Sequence, residues 1–446
     1  MTDKVELILN GEEILIAKDY TVEIAVMMVP STFSIGIGTG TTAVNLMRRF
    51  PARTPFVLRI NGLVQFAGLT DGFERPDGEH TELRITGRDC MAPLLRNSII
   101  HDRTFSSATF EDLANAAIWG AGYKNFSLTF DDRAQRHAIT GTPIVETTVV
   151  KEKQYINLND LRVLDTTGVP QGADLNYQPL DYDPTYYVDK TITKITGYKT
   201  EKPIEWKSGM KWYAAAKKEF DRAGLFLRGG VDPKGKQPNV FLLSEPSAAQ
   251  QPIYGLICTR NPIAANNVVN VRPPHITDLT TNLCARYIVR GRAGGGKAGT
   301  KQIEAFFDDE DMIALGYDPN VDVDVVIDEL ARSTAQARYI ARRRCAEMRR
   351  QHRVFTYRMP NRHSAPSLYD PSTQIVLAPD TVTALLDEEN GMEGAFWIER
   401  VRHSGSASGP TGTDITLMVP DDLVFGDGEF LSNATRKVSG RKRGKK

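Results

Sequence analysis

Over residues 1–100 apolar side chains recur at every second position in short runs: Val5, Leu7 and Leu9; Val22, Ile24 and Val26; Phe33, Ile35 and Ile37; Phe56, Leu58 and Ile60. A period of two sends alternate side chains to opposite faces of a strand, so each run buries one face and exposes the other. Asn61-Gly62 separates "FVLRI" from "LVQFAG". Both central residues of a type I′ turn need positive φ, which Asn and Gly tolerate, so the pair predicts a hairpin. A closed or nearly closed antiparallel sheet is the expected outcome.

From Thr109 the period lengthens. Thr109 and Asp112 form a capping-box-like start, and Leu113, Ala117 and Ile118 follow at helical spacing before Gly120 and Gly122. Residues 131–205 are rich in Tyr, Asp, Thr and Pro and read as a loop-rich β insertion. A clearer helix opens at Ser208, with Trp212, Ala216, Phe220 and Ala223 along one side and Gly224 at its end. The apolar runs on either side of Pro233-Lys234-Gly235 predict a hairpin. Residues 265–425 return to β character, broken by an acidic connector and a basic helix from Thr334 to about Arg350.

The expected fold is therefore mainly β with α+β parts: two antiparallel sheet domains around a mixed α/β one. The boundaries are 1–100 for the first sheet domain, 101–255 for the middle domain and 256–425 for the second, with a basic tail at 426–446. A length of 446 residues accommodates several cores, and 41% apolar with 25% charged residues excludes a mostly disordered chain. Lys plus Arg equals Asp plus Glu at 55 each, so no global field draws the protein to nucleic acid or an anionic membrane. The four cysteines are far apart and suggest neither a disulfide framework nor a zinc knuckle. No secretion signal and no bilayer-spanning apolar run is evident, so the chain is expected to remain in solution.

Candidate chemistry is sparse. Gly36, Gly38 and Gly40 fail G-x-G-x-x-G, since Thr41 follows and the next residues read as a broken segment rather than a long helix. Gly291, Gly296 and Lys297 fit G-x-x-x-x-G-K after a strand, but Ala298 stands where a hydroxyl must hold magnesium. Asp318, Asn320, Asp322 and Glu329 imitate a calcium loop, yet Val323 occupies the position where the sharp turn wants Gly. "GSASG" at 405–409 carries Ala407 in place of a nucleophile, and the seven histidines are scattered without metal-ligand spacing. No catalytic, cofactor or metal site is therefore expected. The basic helix places Arg338, Arg342, Arg343, Arg344, Arg349, Arg350 and Arg353 around an apolar stripe of Ala337, Ala341, Cys345 and Met348. It reads as a solvated face, as a partner of the acidic connector, or as a docking surface through Arg342, Arg343 and Arg349. The tail residues Arg441, Lys442, Arg443, Lys445 and Lys446 read as a simple end or as an anchor on a partner.

Ile60-Asn61-Gly62, Phe66-Ala67-Gly68 and Ile85-Thr86-Gly87-Arg88-Asp89, closing on "MAPLLRN", resemble the first barrel of the phage baseplate hub family of contractile tails. That family is related to the hub part of type VI secretion spikes. Ser208–Pro246 resembles its helix and hairpin, "ARYIVRG" the strand entering its second barrel, and "FWIERVRHSGSASGPTGTDITLMVPDD" its closing hairpin. Residues 131–205, 294–299 and the acidic connector depart from the pattern. The resemblance implies two tube-type antiparallel β-barrel domains, at 1–100 and 256–425, flanking the mixed α/β domain, in a structural, non-enzymatic homotrimer without cofactors in a virion tail baseplate, assembled in the host cytoplasm. Its partners would be a tail tube or tube-initiator protein, a central spike and a tape-measure protein, with DNA only in transit and no membrane insertion. Asn61, Gly62, Gly87, Arg88 and Asp89 then become assembly candidates. Rival readings are a tail-associated cell-wall hydrolase with paired carboxylates in 131–205, an NTPase acting through Lys297, and a spike of a secretion system.

Overall fold

The computed structural model describes residues 3–14, 19–27, 29–37, 41–74, 83–106, 108–130, 143–153, 156–157, 162–163, 187–198, 203–232, 237, 239–247, 250–261, 268–278, 282–292, 302–328, 331, 334–406 and 409–419. The alternating N-terminal runs become strands β1 (Val5–Leu9), β2 (Glu12–Ile14), β3 (Asp19–Ala25), β4 (Thr32–Gly36), β5 (Pro55–Ile60), β6 (Leu63–Glu74) and β7 (Arg84–Asp89). Their inward residues, among them Leu7, Leu9, Val22, Phe33, Ile35, Phe56, Leu58 and Phe66, form one core. Ile60 pairs with Leu63 across the two-residue loop, and Asn61 and Gly62 take φ of 53° and 77°. A second turn of this kind, at Asn10-Gly11, joins β1 to β2. Where the sequence predicts a broken segment after the first glycine stretch, helix α1 (Thr41–Arg49) forms instead. Arg48 and Arg49 in its last turn suit the helix dipole, and Pro51 stops its continuation. Helix α2 (Ala92–Arg96) follows β7 with Pro93 in its first turn.

The middle region opens with β8 (Arg103–Phe105) and α3 (Phe110–Gly120), whose capping box at Thr109 and Asp112 is complete. After β9 (Ser127–Phe130), strands β10 (Pro143–Lys153), β11 (Ile156–Asn157), β12 (Arg162–Val163) and β13 (Tyr187–Tyr198) form two ribbons, β10 with β13 and β11 with β12. Strand β14 (Ile204–Trp206) returns to pair with β8. Helix α4 (Trp212–Ala223) ends at Gly224, in the left-handed conformation at φ 70°. The expected hairpin is β15 (Phe226–Gly229) with β16 (Val240–Ser244), extended by β9 in parallel. Trp206, Trp212, Phe220, Phe241, Leu113 and Ile118 share its core.

The third region holds β17 (Tyr254–Cys258), which spans the expected boundary at 255, then β18 (Val269–Asn270) and β19 (Arg272–Asp278). A separate module comes next: β20 (Arg286–Arg292), β21 (Gln302–Asp308), α5 (Glu310–Ala314), β22 (Val323–Ile327) and α6 (Thr334–His352). The chain then rejoins the sheet through β23 (Arg353–Pro360), a small ribbon β24 (Ser364–Pro366) with β25 (Gln374–Val376), and β26 (Thr381–Asp387), β27 (Met392–Ser406) and β28 (Gly412–Met418). Because β19 pairs directly with β23, everything from 282 to 352 is inserted between two neighbouring strands. "ARYIVRG" therefore does not enter the second sheet unit; as β20 it pairs with β21 and β22. Alternation reveals a strand but not its sheet, which is why the sequence misplaced it.

The two sheet regions share one fourteen-stranded sheet, ordered β18-β17-β26-β27-β3-β4-β7-β6-β5-β1-β2, with β28, β23 and β19 branching from β27. Strand β27 is the spine: its first half pairs with β26 and its second half with β3. Two cores remain distinct beneath it, the N-terminal one and a second built on Tyr254, Leu256, Tyr357, Ile398, Val401 and Leu417.

Candidate functional site

The assembly candidates fall at two internal junctions. At the first, the Asn61 side chain donates to Asp3 Oδ1 at 2.6 Å and accepts from Lys4 N at 2.9 Å. Asp3 passes the link to the C-terminal region, since it also accepts from the His363 backbone N–H and from Ser364 Oγ. His363 Nε2 lies 2.6 Å from the Tyr20 hydroxyl on β3. Its Nδ1 is 3.0 Å from Thr413 Oγ1, and His403 Nδ1 is 3.0 Å from the same oxygen. Thr413 donates its hydroxyl proton to the Arg362 carbonyl at 2.9 Å, so both rings must donate to it through Nδ1–H. That assignment leaves His363 Nε2 to accept from Tyr20 and its imidazole neutral, while burial keeps His403 neutral.

Two of the seven histidines that look scattered in sequence thus stand with ring centroids 4.9 Å apart, fully buried at the seam between β3 and β27. Burial pushes His363 down to about 4, helped by the charge of Arg358 and opposed by Asp3. Burial and the neighbouring His363 push His403 down to about 3. No spacing rule could have found this network, because its members Asp3, Tyr20, His363, His403 and Thr413 come from opposite ends of the chain.

The second junction joins the N-terminal sheet to the middle region. Asp89 is buried and accepts from Ser31 N and Met91 N, each at 2.9 Å. Gly229 on β15 packs so closely that a Cβ there would stand 2.8 Å from Asp89 Oδ2. Burial raises Asp89 to about 6 against the pull of those backbone donors. Gly87 leaves room for the Phe33 ring, which a Cβ would meet at 2.4 Å. Arg88 points outward and holds Asp71 in a two-bond fork at 2.7 and 2.6 Å. A third link, absent from the sequence reading, is Asp380, held at a positive φ of 61°. It pairs with Arg228 of β15 and accepts from Ser247 N and Trp397 Nε1 at 2.5 and 3.2 Å.

The basic helix is largely engaged within the chain. Arg349 meets Asp309, the N-cap of α5, at 2.9 and 2.5 Å, and Arg344 meets Asp324 at 3.0 Å. Arg343 donates to the Asp221 carbonyl of α4 at 3.1 Å. Of these contacts, the one between Arg344 and Asp324 joins the helix to the acidic connector, whereas Asp309 and Asp221 lie outside it. Ala337, Ala341 and Cys345 pack on β20 and β21 as the apolar stripe predicts.

Within the calcium-like segment, Asp318 accepts from Asn320 N at 2.8 Å and Asp322 from Ala285 N at 2.9 Å. Among the described residues no group of three or more His, Cys, Asp or Glu could hold a metal ion. Gly291 faces the Ala331 carbonyl, which a Cβ would meet at 2.2 Å, so its glycine serves close packing. Gly38, Gly40, Gly296, Lys297, Ala298, Glu329, Ala407, most of 131–205, and the tail with Arg441, Lys442, Arg443, Lys445 and Lys446 lie outside the described residues. No described helix is long and apolar enough to cross a membrane.

No family model matches the chain, and no curated protein sequence matches it. Solved structures do. The tail protein from Neisseria meningitidis MC58 superposes with a TM-score of 0.60 at 13% identity, covering 95% of this chain and 99% of that one. The 43 kDa tail protein of prophage MuSo2 from Shewanella oneidensis superposes at 0.58 with 11% identity, covering 94% and 99%. The chain has the fold of these tail proteins over 94–95% of its length.

Proposed function

We propose that the protein is the structural hub of a phage-type tail baseplate, in which three copies form a ring between a six-fold tail tube and a three-fold central spike. The observation that carries this reading is the near end-to-end fold match to two tail proteins, with both sheet units and the middle region included. Two separate cores beneath one continuous sheet support this reading, in which two sheet units in each of three chains make six. Sheet edges at β2, β18 and β19, free among the described strands, supply backbone donors and acceptors for a neighbouring copy. Balanced charge suits a channel that passes tape-measure protein and DNA without gripping phosphates.

Light scattering of the purified chain, with electron-microscopy class averages, tests the reading directly. A trimer with a central hole is expected; a compact monomer at high concentration overturns it. Asn61→Pro, which fixes φ near −65° where the turn holds 53°, is expected to lower trimer yield. Unchanged yield removes that turn from the assembly.

A further inference from the structure

The dipeptide Asn-Gly occurs three times in the chain, at Asn10-Gly11, Asn61-Gly62 and Asn390-Gly391. All three lie in exposed loops between paired strands. The dipeptide is chemically weak. With no Cβ on the second residue, its backbone nitrogen can reach the asparagine side-chain carbonyl and attack it, so the pair that favours a tight turn also favours deamidation. Asn10-Gly11 and Asn61-Gly62 are matched in geometry. Each is a two-residue loop, closed by Leu9 with Glu12 and by Ile60 with Leu63. The φ values are 47° and 89° in the first, 53° and 77° in the second.

They differ in what holds the amide. Asn61 donates to Asp3 Oδ1 and accepts from Lys4 N, so both ends of its side-chain amide are fixed. Asn390 donates through Nδ2 to Asp387 Oδ2 at 2.8 Å, and its backbone N–H is held by Asp387 Oδ1 at 3.1 Å. The Asn10 backbone N–H reaches the Pro55 carbonyl at 2.9 Å, but among the described residues its side-chain amide has no hydrogen-bond partner. A fixed amide must break its hydrogen bonds before its carbon can turn to the glycine nitrogen; that of Asn10 need not. The attacking group is open as well. The ladder belongs to the flanking Leu9 and Glu12, and a Cβ at Gly11 would meet nothing within 4 Å.

We propose that Asn10 is a site of spontaneous covalent modification, by deamidation to aspartyl and isoaspartyl forms, and that Asn61 and Asn390 are protected from the same chemistry. The Gly11 nitrogen bonds to Asn10 Cγ, the Cγ–Nδ2 bond breaks, and the proton given up by Gly11 leaves with Nδ2 as ammonia. One water molecule then opens the five-membered succinimide. Hydrolysis at Cγ gives an aspartyl residue; hydrolysis at the backbone carbonyl gives an isoaspartyl residue, whose main chain runs through the former side chain and is one methylene longer. A methylene added to a two-residue loop breaks the match between turn and ladder. Strand β2 is held to β1 by three residue pairs and ends the sheet, so little else keeps it in place. Modification at Asn10 therefore loosens β2 and leaves β1 as the end of the sheet. This holds whether or not β2 meets a neighbouring copy.

The test is to age the full-length protein at mildly alkaline pH, follow each Asn-Gly by peptide mapping in a mass spectrometer, and label isoaspartate with an isoaspartyl methyltransferase. Conversion at Asn10 is expected to run about tenfold faster than at Asn61 or Asn390, whose hydrogen bonds must break first. Amide hydrogen exchange over Glu12–Ile14 is expected to quicken in step with isoaspartate at Asn10. Asn10→Gly keeps a pair that accepts the turn and removes the reacting amide, so it should show neither the conversion nor the faster exchange. Conversion of all three sites at one rate overturns the proposal. So does an intact Asn10 in the folded protein after a denatured sample has converted at all three. Unchanged exchange over β2 in converted protein overturns the loosening of that strand.

Discussion

The N-terminal sheet is held to its two neighbours by buried polar groups of opposite temperament. Toward the C-terminal sheet it uses neutral imidazoles, His363 and His403, strung between Tyr20 and Thr413. Toward the middle region it uses one buried carboxyl, Asp89, held by two backbone N–H groups. Burial disfavours the charged form at both places, but for an imidazole the charged form is the protonated one and for a carboxyl the deprotonated one. The same desolvation therefore makes one junction sensitive to acid and relieves the other in acid.

Removing the carboxyl is expected to have the largest effect. Asp89→Ala strips the partner from Ser31 N and Met91 N in a buried site, at about 1–3 kcal/mol for each group left unsatisfied. Cys90 Sγ donates to the Val240 carbonyl and Tyr123 donates to the Cys90 carbonyl, so the loss falls where the first sheet meets the middle region. Urea titration read through Trp206 and Trp212, both buried in that region, is expected to show the whole drop. A loss under about 1 kcal/mol means that backbone rearrangement or water replaces the carboxylate there.

The pH response separates the junctions next. Unfolded histidine titrates near 6.5, whereas His363 and His403 titrate at about 4 and about 3 in the folded chain. Between those values the unfolded chain holds protons that the folded chain refuses, so their contribution is complete above pH 6.5 and declines as pH falls toward 4 and 3. Asp89 runs the other way: it titrates at about 6 folded and 3.8 unfolded, so the folded chain gains stability as pH falls from 6 to 3.8. Each contribution is on the order of 3–5 kcal/mol across its whole window, at ~1.4 kcal/mol for every tenfold change in proton affinity. Unfolding free energies measured at steps between neutral pH and about pH 4 are expected to show a shallower acid loss for His403→Gln than for the parent, and a steeper one for Asp89→Asn. Parallel curves for all three proteins would remove both groups from the pH response.

This contrast marks what the sequence could and could not convey. Hairpins, caps and helix ends were legible because they are local: Asn61-Gly62, the Thr109 and Asp112 box and the Gly224 stop all involve neighbours within a few residues. The junctions were not, because His403 of β27 meets Val22 of β3 from the far end of the chain, and β19 meets β23 across the whole inserted module. Pairing at such separation depends on loop closures that no local period encodes. The helix at Thr41–Arg49 was lost for another reason: Thr41, Thr42 and Asn45 favour turns and caps intrinsically, and tertiary packing of Leu46 and Phe50 on the first core outweighs that preference.

The smallest effect is also the sharpest probe of the first junction. Asn61→Gly keeps a residue that accepts a φ of 53°, so the type I′ turn and the register Ile60 to Leu63 survive. What disappears is the amide that binds Asp3 and Lys4 N. Asp3 retains the His363 N–H and Ser364 hydroxyl, so it stays partnered but loses a donor that holds its carboxyl below the ordinary range. The expected cost is about 1 kcal/mol in total, at the low end for two hydrogen bonds because water can replace both at an exposed site. If the turn works alone, Asn61→Gly will match the parent in urea titration. If it works through Asp3, pairing Asn61→Gly with Asp3→Asn will cost less than the sum of the single changes, and that shortfall measures how firmly the hairpin is tied to the histidine seam.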